Sequence, residues 1–347
     1  MAAKDLSPKT RSEPMSDTTS LLIITVAIFL VMYLTAAYLF SDKGFAKPQM
    51  FFNLLNENAA LIIISCGLSI VMIAGGIDIS VGGLTALITV ACVVHLNDME
   101  GSSFLTSLLL ALGIGLAFGL VQGFLVAYLD IQPFIVTLAG MFFARGQAAM
   151  IDTQTRTVAN ESFSALAQMR IRLPIGSVNN NGVFVQAYME LGVVIALLVV
   201  AALFVTLRYT TFGRSLYAVG GNKQSALMLG LNVKRTKFLS HVLCGLLTGL
   251  GGFVFLLHVR SGAVTHAAGY EMDAIAASII GGTMLTGGVG NIFGTFIGVL
   301  TKGAIGNIVR AMGLVGSWWP GITLAAMLCF FLILQSVITS RKRAKIG

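Results

Sequence analysis

Residues 75–83 read Gly75-Gly76-Ile77-Asp78-Ile79-Ser80-Val81-Gly82-Gly83 and separate two long apolar stretches. Glycines, a carboxylate and a hydroxyl thus interrupt a chain that is otherwise strongly apolar. Inside a lipid bilayer, a backbone break or a charge is tolerated only where protein or a water-filled cavity satisfies its polar groups. The segment therefore predicts a break between membrane helices and is a first candidate for a functional site.

The composition is that of an integral membrane protein. Of the 347 residues, 56% are hydrophobic and 10% are charged, whereas about a quarter of the residues of a soluble domain are charged. The mean hydropathy is +0.89. Because the apolar runs repeat along the whole length, with no polar block large enough to fold alone, we predict one all-α transmembrane domain over residues 1–347.

Hydropathy predicts about ten transmembrane helices, since a bilayer is crossed by ~20 apolar residues in a helix. Several runs are short, notably 274–285, which favours tilted or half-membrane helices there. The predicted spans are residues 21–40, 59–74, 80–96, 104–129, 134–151, 191–207, 238–258, 274–285, 292–309 and 318–338.

Basic residues predict the orientation of these spans. Lys and Arg are concentrated in the segment 208–237 and in the tail 339–347, and cytoplasmic segments are enriched in both residue types. An even number of spans places the polar N-terminal residues 1–20 in the cytoplasm as well, and residues 97–103 and 152–190 outside. The net charge of +8 thus reflects membrane topology, and no nucleic-acid partner is expected.

A second interrupted segment reads Gly281-Gly282-Thr283-Met284-Leu285-Thr286-Gly287-Gly288-Val289-Gly290. Paired interruptions in the two halves of a transporter often flank its transport path. Other glycines recur four residues apart, as at Gly115 and Gly119, which indicates closely packed helices. The residues predicted to lie at the path or at helix breaks are Gly75, Gly76, Asp78, Ser80, Gly82, Arg145, Gly281, Gly282, Thr283, Gly287 and Gly288.

The chain carries no motif for catalysis or nucleotide binding. Gly-x-x-x-x-Gly-Lys-Ser/Thr, His-Glu-x-x-His and Gly-x-Ser-x-Gly are all absent from the sequence, and the four histidines are too widely spaced to indicate a metal site. We therefore expect no catalytic residue, metal or cofactor in this chain, and any energy source must come from elsewhere.

The segment 208–237 contains a short predicted helix, with Asn222 as its N-cap and Gly230 at its C-terminal end. A two-turn helix is marginal in water, so it must pack against another surface. A partner protein is the sharper hypothesis, and a connector packed on its own membrane domain is the alternative.

Four stretches together resemble the ribose/xylose type of sugar ABC transporter permease, over nearly the whole chain. They are residues 75–83, 134–146, 217–222 and the run Glu271-Met272-Asp273-Ala274-Ile275-Ala276 that leads into 281–290. Within that family, Gly140-Met141-Phe142-Phe143-Ala144-Arg145-Gly146 and Ser317-Trp318-Trp319 are most similar to a permease of a galactofuranose importer.

This resemblance implies an importer of the bacterial inner membrane. Two permease subunits, alike or different, would form the path for a monosaccharide, a cytoplasmic ABC ATPase would bind ATP, and a periplasmic binding protein would deliver the sugar. It also implies an ATPase-coupling helix, which comprises Asn222, Lys223, Gln224, Ser225, Ala226, Leu227, Met228, Leu229, Gly230 and Leu231.

Three charged residues have two interpretations each. Asp78 could accept hydrogen bonds from sugar hydroxyls, but we favour an N-cap of the helix that begins near Ser80. Arg145 is expected to line the path or to pair with an acid. Lys302 could likewise face the protein interior, a cavity or a carboxylate, but we favour its extension to the membrane interface. The external residues 152–190 could dock the binding protein through charges such as Arg156, Arg170 and Arg172, or form an ordinary solvated loop.

Two other functions remain open. In an ion-coupled secondary transporter, Asp78, Arg145 or Glu271 would couple a proton or sodium gradient to movement of the solute. A membrane-embedded enzyme acting on lipid-linked sugar would instead form product. Neither requires an ATPase partner.

Overall fold

The computed structural model describes residues 17–178, 183–313 and 318–346. Residues 1–16 of the predicted N-terminal segment 1–20 lie outside these ranges, as do Ser317 and Gly347. Helices dominate the described part, which confirms the all-α prediction. They are α1 (Asp17–Leu39), α2 (Pro48–Ile73), α3 (Val81–Asp98), α4 (Phe104–Ala127), α5 (Pro133–Ile151), α6 (Glu161–Ala167), α7 (Leu191–Tyr209), α8 (Thr211–Gly221), α9 (Lys223–Met228), α10 (Val233–Val259), α11 (Tyr270–Ile280), α12 (Ile292–Ala311) and α13 (Trp319–Ile346).

Each of the ten predicted spans corresponds to one of these helices. Within the described residues, eight helices are long and apolar enough to cross a membrane. The other two predicted spans are α13 and α11. With a rise of about 1.5 Å per residue, the 11 residues of α11 cover only about half of a bilayer core of ~30 Å.

Local chemistry sets where several helices begin. Proline occupies the first turn of α2 and of α5, where its missing N–H removes no helical hydrogen bond. Asparagine side chains accept a first-turn amide in α6, α9, α10 and α12. Ser103 and Thr106 form a reciprocal capping box at α4.

Helix α2 lies at the centre of the bundle. Within its most apolar stretch, 94% of the residues are buried, compared with 22% for each of α1, α4 and α5. The last three expose leucine and phenylalanine side chains such as Leu34, Leu109 and Phe142. An apolar outer surface of this kind fits a bilayer environment, so α2 belongs to the protein core and α1, α4 and α5 to its periphery.

The glycines at spacing four pack α4 against α10, as the sequence predicts. A Cβ atom at Gly115 would lie 2.9 Å from Gly249 Cα, and one at Gly119 would lie 2.9 Å from Val242 Cα. Real Cβ atoms do not approach so closely, so glycine is what permits this helix contact.

The segment 152–190 is more ordered than a simple loop. Strand β1 (Arg156–Thr157) pairs antiparallel with β4 (Ser261–Gly262), which follows α10. Strands β2 (Arg170–Val178) and β3 (Phe184–Glu190) form an antiparallel hairpin. Arg156 binds Asp98 at 2.7 Å, and this hydrogen bond raises the pKa of the Arg156 guanidinium.

Candidate functional site

The break in residues 75–83 is a turn over residues 75–80 that is buried apart from Gly75 and the partly buried Ile77, and residues 81–83 already belong to α3. Gly75 has a φ of +82°, in the left-handed region that favours glycine. Asp78 is 2% exposed, and its carboxylate accepts hydrogen bonds from Ser80 N at 2.9 Å and from Ser80 Oγ at 2.6 Å. Helix α3 begins at Val81, so the position before its first turn is Ser80. Asp78 therefore holds the turn that leads into α3, two residues earlier than a strict N-cap.

The stretch 134–146 supports this turn from α5. The backbone N–H of Ile79 donates to Thr137 Oγ1 at 3.1 Å. Ser80 Oγ lies 3.2 Å from Gln122 Oε1 in α4, and a Cβ at Gly140 would collide with the amide of the same Gln122. Two of the stretches that carry the family resemblance are thus one structural unit.

The second break, at residues 281–290, begins where α11 ends. Gly282, Gly287 and Gly288 have φ values of +90°, +83° and +74°. Gly281 packs directly on the backbone of Gly294 in α12, and Thr283 is fully buried. The segment is a compact turn that reverses the chain between the half-length helix α11 and α12.

Both breaks meet the segment 208–237 at one end of the bundle. Gly288 N donates to Ile73 O at 2.9 Å, and a Cβ at Gly287 would lie 2.8 Å from both Gly75 Cα and Gly220 O. We call Gly75, Gly220, Gly221, Gly287 and Gly288 the glycine junction. It brings together three segments far apart in sequence, and backbone meets backbone there.

The Gly220–Gly221 part of this junction was not among the predicted site residues. The sequence signal for it is the Gly220-Gly221 pair itself, which lies in the stretch 217–222. The side chain of Tyr217 adds a further link, because its hydroxyl donates to Gly290 O at 2.9 Å.

The predicted coupling helix follows the junction directly. Asn222 Oδ1 accepts from Ser225 N at 2.9 Å, which confirms the predicted N-cap. Helix α9 ends at Met228, and Gly230 has a φ of +77° just beyond it. Lys223 forms an ion pair with Asp130, which follows α4, at 3.3 Å.

One side of this helix is packed and the other is open. Ala226 is 1% exposed and packs with Val219 and Val233, with Leu231 partly buried beside them. Leu227, Met228 and Leu229 are 50%, 78% and 77% exposed. Lys223, Gln224 and Ser225 are also exposed. The helix is therefore fixed to its own domain and presents three apolar side chains outward.

Arg145 and Gly82 lie apart from the junction. Arg145 Nη1 donates to Val264 O at 2.8 Å, and Nη2 lies 3.5 Å from Ala267 O. Of the two interpretations of Arg145, pairing with an acid is wrong, since its partners among the described residues are these carbonyl groups. That Arg145 lines the path stays a prediction. Gly82 packs against Ala267 O and the Glu271 carboxylate, and the buried Glu271 Oε2 has no hydrogen-bond partner in the part of the chain described.

For Lys302, the structure supports the interpretation that was not favoured. Its Nζ lies 2.6 Å from Asp273 Oδ2, and both side chains are about three-quarters buried. The lysine therefore pairs with a carboxylate on α11 and does not extend to the membrane interface. A cation in a transmembrane helix that finds such a partner faces the protein interior.

Some of the charged side chains in residues 152–190 form ion pairs within the chain. Arg156 pairs with Asp98 and Asp152, and Glu190 pairs with His258 at 2.7 Å. Arg170 and Arg172 are exposed on the β2–β3 hairpin. The Arg170 guanidinium stacks 4.3 Å from the centre of the Tyr188 ring.

Comparison with known proteins gives consistent matches over most of the chain. A family model described as branched-chain amino acid transport system / permease component matches residues 50–332. The inner membrane ABC transporter permease protein YjfF of Escherichia coli K12 is 35% identical over 92% of each chain. The fructose import permease protein FruG of Bifidobacterium longum is 33% identical over 91% of this chain and 90% of its own.

The ribose import permease protein RbsC of Escherichia coli K12 is 33% identical over 93% of both chains. No solved structure gives a significant match. The matched residues 50–332 include both breaks, the glycine junction and the predicted coupling helix.

Proposed function

Because this chain belongs to the branched-chain amino acid transport system / permease component family, we propose that it is the membrane-spanning permease of an ATP-driven monosaccharide importer in the bacterial inner membrane. The relatives that carry a substrate in their names import fructose, ribose or galactose and methyl galactoside. The substrate class that fits all of them is a monosaccharide. Galactofuranose is one member of that class and stays a prediction from the resemblance at residues 140–146 and 317–319.

The observation that carries the proposal is the position of the helix around Asn222–Leu231. It packs through Ala226 onto its own domain, and it exposes Leu227, Met228 and Leu229. Exposed apolar side chains that cluster on one helix favour a protein partner. Since the sequence lacks a nucleotide-binding motif, we propose that a cytoplasmic ABC ATPase binds this surface and supplies the energy.

The glycine junction gives this partner a direct connection to the transport domain. Gly221 precedes the N-cap Asn222, and Gly220 contacts both Ile73 at the end of α2 and Gly288 in the second break. Backbone packed on backbone has no flexible side chain to absorb a displacement. A movement of the coupling helix would therefore shift both helix breaks together.

A periplasmic binding protein would deliver the sugar on the opposite side of the membrane. The exposed Arg170 and Arg172 on the β2–β3 hairpin would steer an acidic partner, because charges at an interface rim accelerate association. A second permease subunit, alike or different, would complete the path. In this arrangement segments 208–237 and 339–347 are cytoplasmic, as is the N-terminus.

Reconstitution tests the function. The permease complex is inserted into proteoliposomes with its binding protein, and uptake of labelled ribose, fructose and galactose is measured with and without the ATPase and ATP. Uptake of a sugar that requires both is the expected result. Uptake driven by a proton or sodium gradient in the absence of the ATPase would instead identify a secondary transporter.

A further inference from the structure

We propose that a polar cavity between α2, α11, α12 and α13 holds the neutral sugar during its passage, an assignment that rests on the proposed import function. The cavity has a volume of about 390 Å³, within the range of about 300–1,000 Å³ typical of small-molecule sites. The lining residues that matter here are Glu57, Asn58, Asp273, Lys302, Gly306 and Arg310.

The cavity extends from the middle of α12 to its last turn, where Arg310 lies. Lys302 is at the middle of α12 (Ile292–Ala311), and Asp273 is in the first turn of the half-length helix α11. Residues 264–269, which precede α11, form turns, so α11 is interrupted there. Transporter sites form at such discontinuous helices, near the middle of the bilayer.

The charges in the cavity are matched. Lys302 pairs with Asp273 at 2.6 Å, and Arg310 lies 3.5 Å from Glu57. Two cations and two carboxylates leave no net charge, so neither an anion nor a cation is preferred. Ammonium, guanidinium, amide and carboxylate groups supply both donors and acceptors. This lining fits an uncharged solute whose hydroxyl groups each donate and accept a hydrogen bond.

Glycine keeps the cavity open. A Cβ added at Gly306 or at Gly321, on facing helices α12 and α13, would meet no atom within 4 Å. Gly303 is different, because a Cβ there would lie 2.6 Å from both Asn58 Nδ2 and Leu54 Cδ1. Gly303 thus serves helix packing, whereas Gly306 and Gly321 border empty space that a larger side chain would occupy.

The test fills this space from each wall. Gly306→Ala, Gly306→Leu and Gly306→Trp form a size series, and Gly321→Trp fills the cavity from α13 if the α12 variants do not insert. Gly113→Trp is the matched control, since Gly113 is an exposed helix glycine of α4 whose Cβ would also meet nothing within 4 Å. Each variant is assembled with its ATPase and binding protein, and sugar uptake and complex assembly are measured.

Sugar uptake is expected to fall with side-chain size along the Gly306 series and to be lost in Gly306→Trp and Gly321→Trp. Complex assembly and the Gly113→Trp control should match the wild type. Normal uptake by the tryptophan variants would overturn the assignment. Loss of assembly together with uptake would also overturn it, because the cavity would then be a contact surface for another subunit. Failure of the wild type itself to import any sugar would reject the proposed function instead.

Discussion

Replacing Gly287 by alanine should damage the glycine junction by two separable effects. Gly287 has a φ of +83°, a conformation that costs an ordinary residue roughly 1–2 kcal/mol. In addition, the new Cβ would lie 2.8 Å from Gly75 Cα and 3.0 Å from Gly75 N. Such overpacking against backbone costs a further ~1–3 kcal/mol.

Gly230→Ala provides the matched control. Gly230 has a nearly equal φ of +77°, but a Cβ there would meet nothing within 4 Å. Its alanine variant therefore carries the backbone cost alone. The difference between the two variants, ~1–3 kcal/mol, isolates the packing at the junction.

Titration of the purified permease with denaturant in mixed micelles measures the free energy of unfolding of each variant. Because 1.4 kcal/mol is about a tenfold change in an equilibrium constant, the difference is well within reach of the method. Equal destabilisation by Gly287→Ala and Gly230→Ala would refute the close packing of Gly287 on Gly75 and Gly220.

Two other predictions follow from the site. Asp78→Asn should keep much of the transport activity because its side-chain oxygen can still accept from Ser80 N, whereas Asp78→Ala should lower the folded yield, since it removes an acceptor worth about 1–3 kcal/mol to a buried donor. Expression and uptake of the two variants decide this, and loss of transport by a well-expressed Asp78→Asn would assign the carboxylate a direct contact with the sugar. On the β2–β3 hairpin, Arg172→Glu should slow association of the binding protein in surface plasmon resonance, with an effect that shrinks at high salt. Arg172→Lys is its control, and an unchanged association rate in Arg172→Glu would place the docking surface elsewhere.

Hydropathy and local sequence signals are sufficient to predict the helices and several of their ends. Each predicted span matches a helix, because a helix that crosses a bilayer must be apolar over a fixed length. Asn222 and Gly230 were identified correctly as the ends of the short loop helix, since caps depend on neighbouring backbone alone.

Contacts between segments that are distant in the chain could not be predicted from the sequence. Both glycine breaks were recognised separately, but no local signal shows that Gly75 and Gly287 meet at Gly220. The same holds for charge pairs. Lys302 Nζ and Asp273 Oδ2 lie 2.6 Å apart across two helices, and residue spacing alone does not identify this partner, so the sequence favours a lysine that extends to the interface.

The structure also shows that Ala226 and Leu227, which the sequence assigns to the same predicted coupling helix without distinction, differ in exposure. Ala226 and Leu227 are neighbours in the predicted coupling helix, but Ala226 is 1% exposed and Leu227 is 50% exposed. A charge at Ala226 would disturb the packing on Val219 and Val233. A charge at Leu227 alters only the outward surface, so Leu227 is the position that tests partner binding.

The ratio of ATP hydrolysed to sugar imported by Leu227→Asp in proteoliposomes tests the central claim most directly. Gln224→Asp is the control, because it places the same charge on an exposed position of the same helix without removing an apolar side chain. We predict normal membrane insertion in both, coupled uptake in Gln224→Asp, and hydrolysis without matching uptake, or no ATPase binding, in Leu227→Asp. Normal coupled uptake by Leu227→Asp would contradict the claim that an ATPase drives this permease through the Asn222–Leu231 helix.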